Sequence, residues 1–445
     1  YMECTISKLF LDNGKIAGAL GYYRENGDYV LFKAKAVVLA TGGVGKVFTV
    51  TSNSWEYTAD GHALAYEAGA ELIDMEFVQF HPTGMVWPPG VRGILVTEGV
   101  RGEGGILTNS EGKRFMFDYL PESTKNDYAA TEDEAKEWVD ATINHKKSEA
   151  RRPPELSTRD NVARAIYVEN KEGRGSPHGG VFLDISYQDS ERVKKKLPSM
   201  YHQFKELADV DITKQKMEVG PTAHYIMGGV RVEADTCQSK VPGLFAAGEV
   251  AGGMHGANRL GGNSLSDLVV FGRRAGTGAC DYVDALKESP SINEKDIDAT
   301  IEELEAPLKR EGGLNPYDVH KEMNQIMSTH VGIFREKDEM AEGIKKLEEL
   351  KEKISRVSVA SDKRFNPGWH LCRDLKNMII AAEAIARSAH SREESRGAHS
   401  RLDFPDADDK KWGKLNSACS KDGDKMKLEH TELPEMPADL KELFD

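Results

Sequence analysis

Apolar and polar residues alternate over residues 3–41, which predicts a meander of strands turned at Asp12-Asn13-Gly14 and again at Asn26-Gly27-Asp28. An apolar strand over 36–40 then runs into Thr41-Gly42-Gly43, so the chain opens inside a sheet. Asp60-Gly61-His62 opens a helix over 63–70, and a strand over 72–80 leads to His81-Pro82-Thr83-Gly84. Residues 84–93, rich in proline and glycine, read as a loop, and 94–97 resume a strand. Residues 122–160 are charged and poor in large apolar side chains, the pattern of a mobile, solvated excursion. Arg159-Asp160 begins a helix over 161–169 with Asp160 as its cap. A short strand over 181–185 and a basic amphipathic helix over 190–207 follow, and Pro221-Thr-Ala-His-Tyr-Ile-Met-Gly-Gly229 returns the chain to the sheet.

Gly243-Leu-Phe-Ala-Ala-Gly-Glu249 reads as a short buried strand ending in a turn. Directly after it comes His255-Gly-Ala-Asn-Arg-Leu-Gly-Gly-Asn-Ser-Leu265, with Gly252 and Gly253 just before. Four glycines (252, 253, 261 and 262) let the backbone approach a ligand closely, and Asn263 or Ser264 caps a helix over 265–275. An anion or an electron-rich ring edge there meets free amide N–H groups, and Arg259 adds a planar, bidentate donor. Read alone, the segment is equally a glycine-rich strand-to-helix turn with a surface arginine. Beyond residue 285 the pattern becomes helical, over 296–308, 317–330, 337–357 and 370–390. In the last of these, Leu371, Leu375, Met378, Ile379, Ala382, Ile385, Ala386 and Ala389 repeat at helical spacing as a bundle-core stripe.

At 445 residues the chain can build two or three domains with real cores. Its 59 basic and 73 acidic residues give a net charge of −14, which argues against nucleic acid or an anionic membrane surface as a direct partner. Five scattered cysteines (4, 237, 280, 372 and 419) offer no Cys-x-x-Cys pair, so the reading is of reduced thiols with no iron–sulfur cluster or zinc held by this chain. No apolar run approaches the length of a membrane span. Gly42-Gly43-Val44-Gly45 and Gly173-Arg174-Gly175 both lack Gly-x-Gly-x-x-Gly spacing.

The motifs His81-Pro-Thr-Gly, Thr97-Glu98-Gly with Arg101-Gly-Glu-Gly-Gly, Arg159-Asp160, His224-Tyr225 with Met227-Gly-Gly, and Gly248-Glu249 followed by the 255–265 segment occur in one order. With Ser395-Arg-Gly-Ala-His-Ser-Arg401 and Phe404-Pro-Asp-Ala-Asp-Asp409 they extend over almost the whole chain. The ordered set resembles the succinate dehydrogenase/fumarate reductase flavoprotein subunit. The resemblance implies an α/β fold with a split FAD-binding domain (1–77 and 225–283), an inserted α+β cap domain (78–224), a helical domain (284–395) and a C-terminal tail (396–445).

It further implies interconversion of succinate and fumarate by hydride transfer with FAD, in a respiratory complex of the tricarboxylic acid cycle. Electrons would leave through an iron–sulfur subunit to membrane anchor subunits and quinone, the complex lying at the cytoplasmic face of the inner or plasma membrane. His81 and Thr97 would hold one substrate carboxylate, and His224 and Arg259 the other. Arg159 would exchange the substrate proton, with Glu98 and Arg101 as its relay. Arginine is an awkward acid, its pKa lying above ~12. The relay would make its neutral form transient only. For FAD the family pattern points to Asp60, Glu249, Ser264 and Leu265, with Gly42 and Gly43 lining the nucleotide. Alone, Asp60 reads better as a helix cap; the alternative in which Arg159 is a helix-terminal ion pair with Asp160 and Glu98 a cap-domain salt bridge is outweighed by the full motif set.

The family's pyrophosphate-gripping fingerprint and its flavin-linking histidine precede these motifs and are not in this sequence, so the expectation is a partial subunit that binds FAD poorly by itself. L-aspartate oxidase shares most of the motifs, but reads Ala-Ser where this chain has Gly261-Gly262. A non-catalytic structural homologue is the third reading, opposed by the complete acid, relay and clamp set. His62, His145, His178, His202 and His320 are expected at the surface, and His399 as packing for the tail.

Overall fold

The computed structural model describes residues 1–443, so the last two residues of the expected tail lie outside the described residues. The chain divides into two compact units. The first comprises Tyr1–Thr49, Trp55–Val78 and the chain from Tyr225 onward; the second comprises Val50–Ser54 and Gln79–His224.

The first unit opens with the expected meander, strands Cys4–Asp12, Lys15–Tyr23 and Tyr29–Lys33, paired antiparallel in chain order. Asp12 pairs with Lys15, which leaves Asn13-Gly14 as a two-residue loop with φ of 50° and 78°, a conformation these two residue types tolerate. Strand Val37–Leu39 pairs in parallel with Leu244–Ala246, whose three residues are fully buried. The four helices that follow are Glu294–Lys309, Pro316–His330, Lys337–Ser355 and Pro367–Ser391. Three of them start on an asparagine, Asn293, Asn315 or Asn366, whose side chain accepts a first-turn N–H, and two carry proline at the first helical position, where its missing N–H costs nothing. In Pro367–Ser391 the stripe from Leu375 to Ala389 is buried as its spacing predicts, while Leu371 is half-buried.

Several elements depart from the sequence reading. Residues 72–80 are not one strand: Leu72–Ile73 is separate from Val78–Met85, and Asp74, at φ 53°, turns the chain between them. The helix expected over 265–275 runs Asn263–Ala285, and neither Asn263 nor Ser264 caps it. Gly262, at φ 86°, takes the cap position, so Asn263 is already helical. The polar segment after 409 is more than a tail. Strands Leu415–Asp422 and Lys425–Glu432 form a hairpin that pairs with Leu72–Ile73, in a four-stranded sheet completed by Gly229–Val230. His62 is fully buried rather than at the surface, and burial lowers its pKa to about 4.

A buried ionic cluster ties these parts of the first unit together. Arg392 donates from Nε to Glu76 at 2.6 Å and from Nη1 to Glu394 at 3.0 Å, with all three side chains almost fully buried. Glu76 also accepts the Ser417 hydroxyl at 2.9 Å. Arg335 donates to the Glu76 carbonyl and to His399 Nδ1, both at 2.7 Å, and His399 Nε2 meets the Arg392 carbonyl at 3.2 Å. His399 is therefore a neutral packing residue, its pKa held far down by burial and by the arginines. Burial and the charge on Glu76 lift Asp74, beside this cluster, to about 7.

The second unit is built on a four-stranded sheet in the order Val78–Met85, Met217–Ile226, Val181–Asp184, Ile106–Thr108. The chain enters the unit along the first of these strands and leaves along the second. Helix Arg159–Lys171 buries Val162 and Ile166 with Leu107, Leu183 and Met217 in one core. Residues 94–97 pair with the first strand only through an isolated Gly84–Leu95 bridge and flanking bonds, because the bend at Gly93 (φ 95°) prevents a regular ladder. The helix expected over 190–207 is broken into Ser190–Lys196 and Pro198–Ala208 by Pro198, which cannot donate and clashes with the preceding turn. Within 122–160, read as a solvated excursion, lies the helix Glu132–Ile143, capped by Thr131, with Glu134 gripping Arg151 at 2.7 and 2.8 Å.

Breaking the buried cluster from its centre gives a first prediction. Arg392→Met strands buried Glu76 without its cation and leaves Glu394 to Arg396, and is expected to cost about 3–5 kcal/mol in urea unfolding. A loss below about 1 kcal/mol would show that the cluster does not hold these segments together.

Candidate active site

The second unit gathers most of the expected site. Arg159 is the first residue of its helix, after Thr158 at the cap position; Asp160 is no cap and instead binds Arg164 at 2.7 Å. Arg159 points away from Asp160, its Nε donating to Glu98 Oε2 at 2.9 Å and its Nη1 to Gln79 Oε1 at 3.3 Å. The same Glu98 oxygen lies 3.7 Å from Arg101 Nη2. One carboxylate oxygen thus faces two guanidinium groups, the half-exposed Glu98 joining a largely buried Arg159 to a fully buried Arg101. Burial, reinforced by the charge on Arg159, brings Arg101 down to about 10.

His81 is buried on strand Val78–Met85, and the Thr83 N–H donates to its Nδ1 at 3.2 Å. Burial, then the charges of Arg101 and Arg159, push its pKa far below the ordinary histidine value, so the ring is neutral at physiological pH. The Thr83 carbonyl lies at the same 3.2 Å from Nδ1, so the partner that nitrogen takes decides whether the ring proton sits on Nδ1 or on Nε2. The His224 ring stands edge to face with it, centroids 5.3 Å apart at 68°, and His224 Nδ1 meets the Ser52 hydroxyl at 2.8 Å. Thr97 is half-buried just before the short helix Gly99–Gly102, whose cap position is Glu98, and its hydroxyl accepts the Gly99 N–H at 3.3 Å. Its neighbour Val96 donates to the Thr83 carbonyl at 2.9 Å, so the 81–83 and 96–97 backbones run side by side. Neutral N–H donors beside fixed guanidinium groups suit a carboxylate, and the Arg159–Glu98 contact suits proton exchange.

The first unit carries the remaining expected residues. Arg259 is buried with its guanidinium 4.2 Å from the centre of the Tyr225 ring. His255 lies 3.4 Å from Asp267, in the second turn of helix Asn263–Ala285, and 5.5 Å from the same tyrosine ring. Glu249 is buried and accepts the Ile226 N–H at 3.1 Å. A Cβ on Gly43 would stand 2.2 Å from Glu249 Oε1, and one on Gly42, whose φ is 74°, would press on the Tyr57 ring. Both positions require glycine, and they leave a side-chain-poor backbone beside an acceptor carboxyl. Ser264 is half-buried and Leu265 exposed in the first turn of their helix, where the Asn263 and Leu265 N–H groups bond the Leu260 and Gly262 carbonyls at 3.3 and 3.0 Å. This donor and acceptor set fits a flavin dinucleotide. Asp60 is not a cap, since Ala59 takes that position, and its carboxylate already binds Arg373 at 2.7 Å, Asn377 at 2.8 Å and Thr58 at 2.9 Å.

Gln79 and Ser52 were missed from the sequence. Gln79 sits two residues before His81 on a strand, hence on the same face, and that period was a usable signal. Ser52 lies 172 positions from His224 and gave none.

Comparison with known proteins places this geometry. Residues 1–265 match the family model described as FAD binding domain, and 320–442 match that of the fumarate reductase flavoprotein C-terminus. Fold and site together therefore define an FAD-binding oxidoreductase. Among curated relatives, a subunit of the fumarate reductase (CoM/CoB) from Methanothermobacter marburgensis is 43% identical over 407 residues, covering 91% of this chain and 67% of that protein. Among solved structures, Mycobacterium smegmatis Sdh1 in complex with UQ1 aligns with a TM-score of 0.84 at 52% identity, covering 99% of this chain and 69% of that one. A quinol-fumarate reductase with menaquinol molecules aligns at 0.86 and 35% identity, covering 98% and 72%. The chain belongs to the succinate dehydrogenase/fumarate reductase flavoprotein family, and spans about two thirds of the length of these relatives.

Glu249 yields a second prediction. Burial raises its carboxyl to about 7, so the folded state holds the proton more tightly than the unfolded chain does. Its contribution is greatest below the ordinary carboxylate pKa and is lost as pH rises through about 7. In flavin-free protein, Glu249→Gln should gain up to roughly 3 kcal/mol over the parent at pH 8 relative to pH 4, read from urea unfolding at both. A pH-independent difference would contradict this assignment.

Proposed function

We propose that this chain acts as the flavoprotein subunit of a succinate:quinone oxidoreductase, interconverting succinate and fumarate. The observation that carries the reading is the Arg159–Glu98–Arg101 array, at 2.9 and 3.7 Å, in the unit that also holds the paired His81 and His224 rings. Bound FAD supplies the hydride acceptor or donor, and Gly42, Gly43, Glu249, Ser264 and Leu265 are the residues that would hold it. Asp60 would contribute through its Arg373-bound carboxylate.

His81 and Thr97 clamp one carboxylate of the dicarboxylate; His224 and Arg259 clamp the other. Two clamps of this kind orient the central C–C bond, which turns a chance encounter into a held geometry. Arg159 exchanges a proton with the substrate carbon, and Glu98 restores it through the shared oxygen. Arg101, its own proton loosened by burial, completes the relay behind Glu98. The same residues serve both directions of the reaction.

No group of three or more metal-ligating side chains occurs among the described residues, and no helix among them is long and apolar enough to cross a membrane. Onward electron transfer then falls to an iron–sulfur partner subunit and a quinone-binding membrane anchor, with this chain held peripherally at the cytoplasmic face.

The test is substitution in the flavin-loaded complex. Arg159→Lys keeps the charge but loses the planar fork, and is expected to lower fumarate reduction and succinate oxidation at least about 10³-fold with the flavin absorption band intact. Glu98→Gln should cost about 10²–10⁴-fold. Activity unchanged in Arg159→Lys would overturn the assignment.

A further inference from the structure

We infer that Ser52 is a positioning residue for His224, deciding which ring nitrogen meets the substrate; this rests on the dicarboxylate reading above. The chain joins the second unit for only five residues, Val50–Ser54, before its long return at Gln79. That short visit is spent almost entirely on residues 223 and 224. Ala223 N–H donates to the Val50 carbonyl at 2.9 Å, and Ser52 N–H to the Ala223 carbonyl at 3.0 Å. Thr51 Oγ1 donates to that same carbonyl at 2.8 Å, and Asn53 Nδ2 to the His224 carbonyl at 3.0 Å.

These bonds hold the backbone of the strand end, and they would persist with any side chain at position 52. The Ser52 hydroxyl does something separate, reaching the imidazole itself, 2.8 Å from Nδ1. At His81 the equivalent bond comes from the Thr83 N–H, 3.2 Å from Nδ1. Both rings of the edge-to-face pair are thus contacted at Nδ1, and the contact made there sets whether the proton is carried on Nδ1 or Nε2. A carboxylate bound through Nε2 needs the proton there, which requires the Ser52 hydroxyl to donate to Nδ1. Without the Ser52 hydroxyl, His224 can exchange tautomers and turn about its ring bond while its backbone stays in place. Ser52 therefore acts through His224, preorganising a donor rather than touching the substrate.

The experiment compares Ser52→Ala and Ser52→Thr in the flavin-loaded complex. Binding of malonate, a dicarboxylate with no CH₂–CH₂ bond to desaturate, is followed by the flavin difference spectrum, alongside KM and kcat for fumarate and the thermal midpoint. Ser52→Ala should raise the malonate Kd and the fumarate KM about tenfold, one hydrogen bond's worth. The change in kcat should be smaller, the thermal midpoint should hold, and Ser52→Thr should restore binding. A malonate Kd in Ser52→Ala within twofold of the parent would overturn the inference. So would a Kd rise that comes with a lowered midpoint and no rescue by threonine, since that marks a structural role. Arg159→Lys run in parallel separates the two claims: if it still turns over while Ser52→Ala loses malonate binding, the proton relay falls and the positioning of His224 stands. A parent complex that binds no malonate would overturn both.

Discussion

An arginine can serve as an acid only where something returns its proton at once, and the proposed relay depends on the 2.9 Å contact between Arg159 Nε and Glu98 Oε2. Much of the second unit's design follows from it. Helix Arg159–Lys171 begins at the arginine itself, so the side chain leaves from a rigid first turn, while Glu98 comes from the turn that opens Gly99–Gly102. Arg101 lies fully buried three residues after Glu98, 3.7 Å from the same carboxylate oxygen, and burial, reinforced by the two guanidinium groups, keeps His81 neutral.

The first unit solves a different problem with the same means. Two buried acids, Glu76 and Glu394, share Arg392, and the neutral His399 accepts from Arg335, so the end of the long helix, the 395–401 motif and the hairpin beyond it meet one another through charge as well as packing. Such clusters are costly to expose one partner at a time, which makes them markers of a single arrangement more than sources of stability. The glycines at 42 and 43 work by contrast through absence, leaving room beside Glu249 that any side chain would fill.

How much of this was legible in the sequence depended on how local each signal was. His81, Glu98, Arg101 and His224 stand in short motifs with glycine or proline, Arg159 stands beside Asp160, and the structure brings all five into one unit. The bundle helices were legible because apolar spacing and Asn or Pro starts act within a few residues. Ser52 was not, because its partner is 172 positions away and nothing near it repeats. The hairpin at 415–432 escaped for a related reason: only the Leu415–Asp422 strand has an inner face, and its partner, Leu72–Ile73, is two residues long. His62 looked like a surface residue by type, yet its helix faces inward at that position. Pro198 and Gly262 each carried a boundary that the local rule predicts and that the wider pattern obscured.

The most direct measurement is an anaerobic titration of the flavin-loaded protein, following the visible flavin band as succinate is added, then fumarate, with aspartate added to a separate sample. The proposed carboxylate clamps and arginine proton carrier predict bleaching by succinate, recovery on fumarate and no response to aspartate. Bleaching by aspartate with none by succinate would contradict the account and assign the same donors to an amino-acid oxidase.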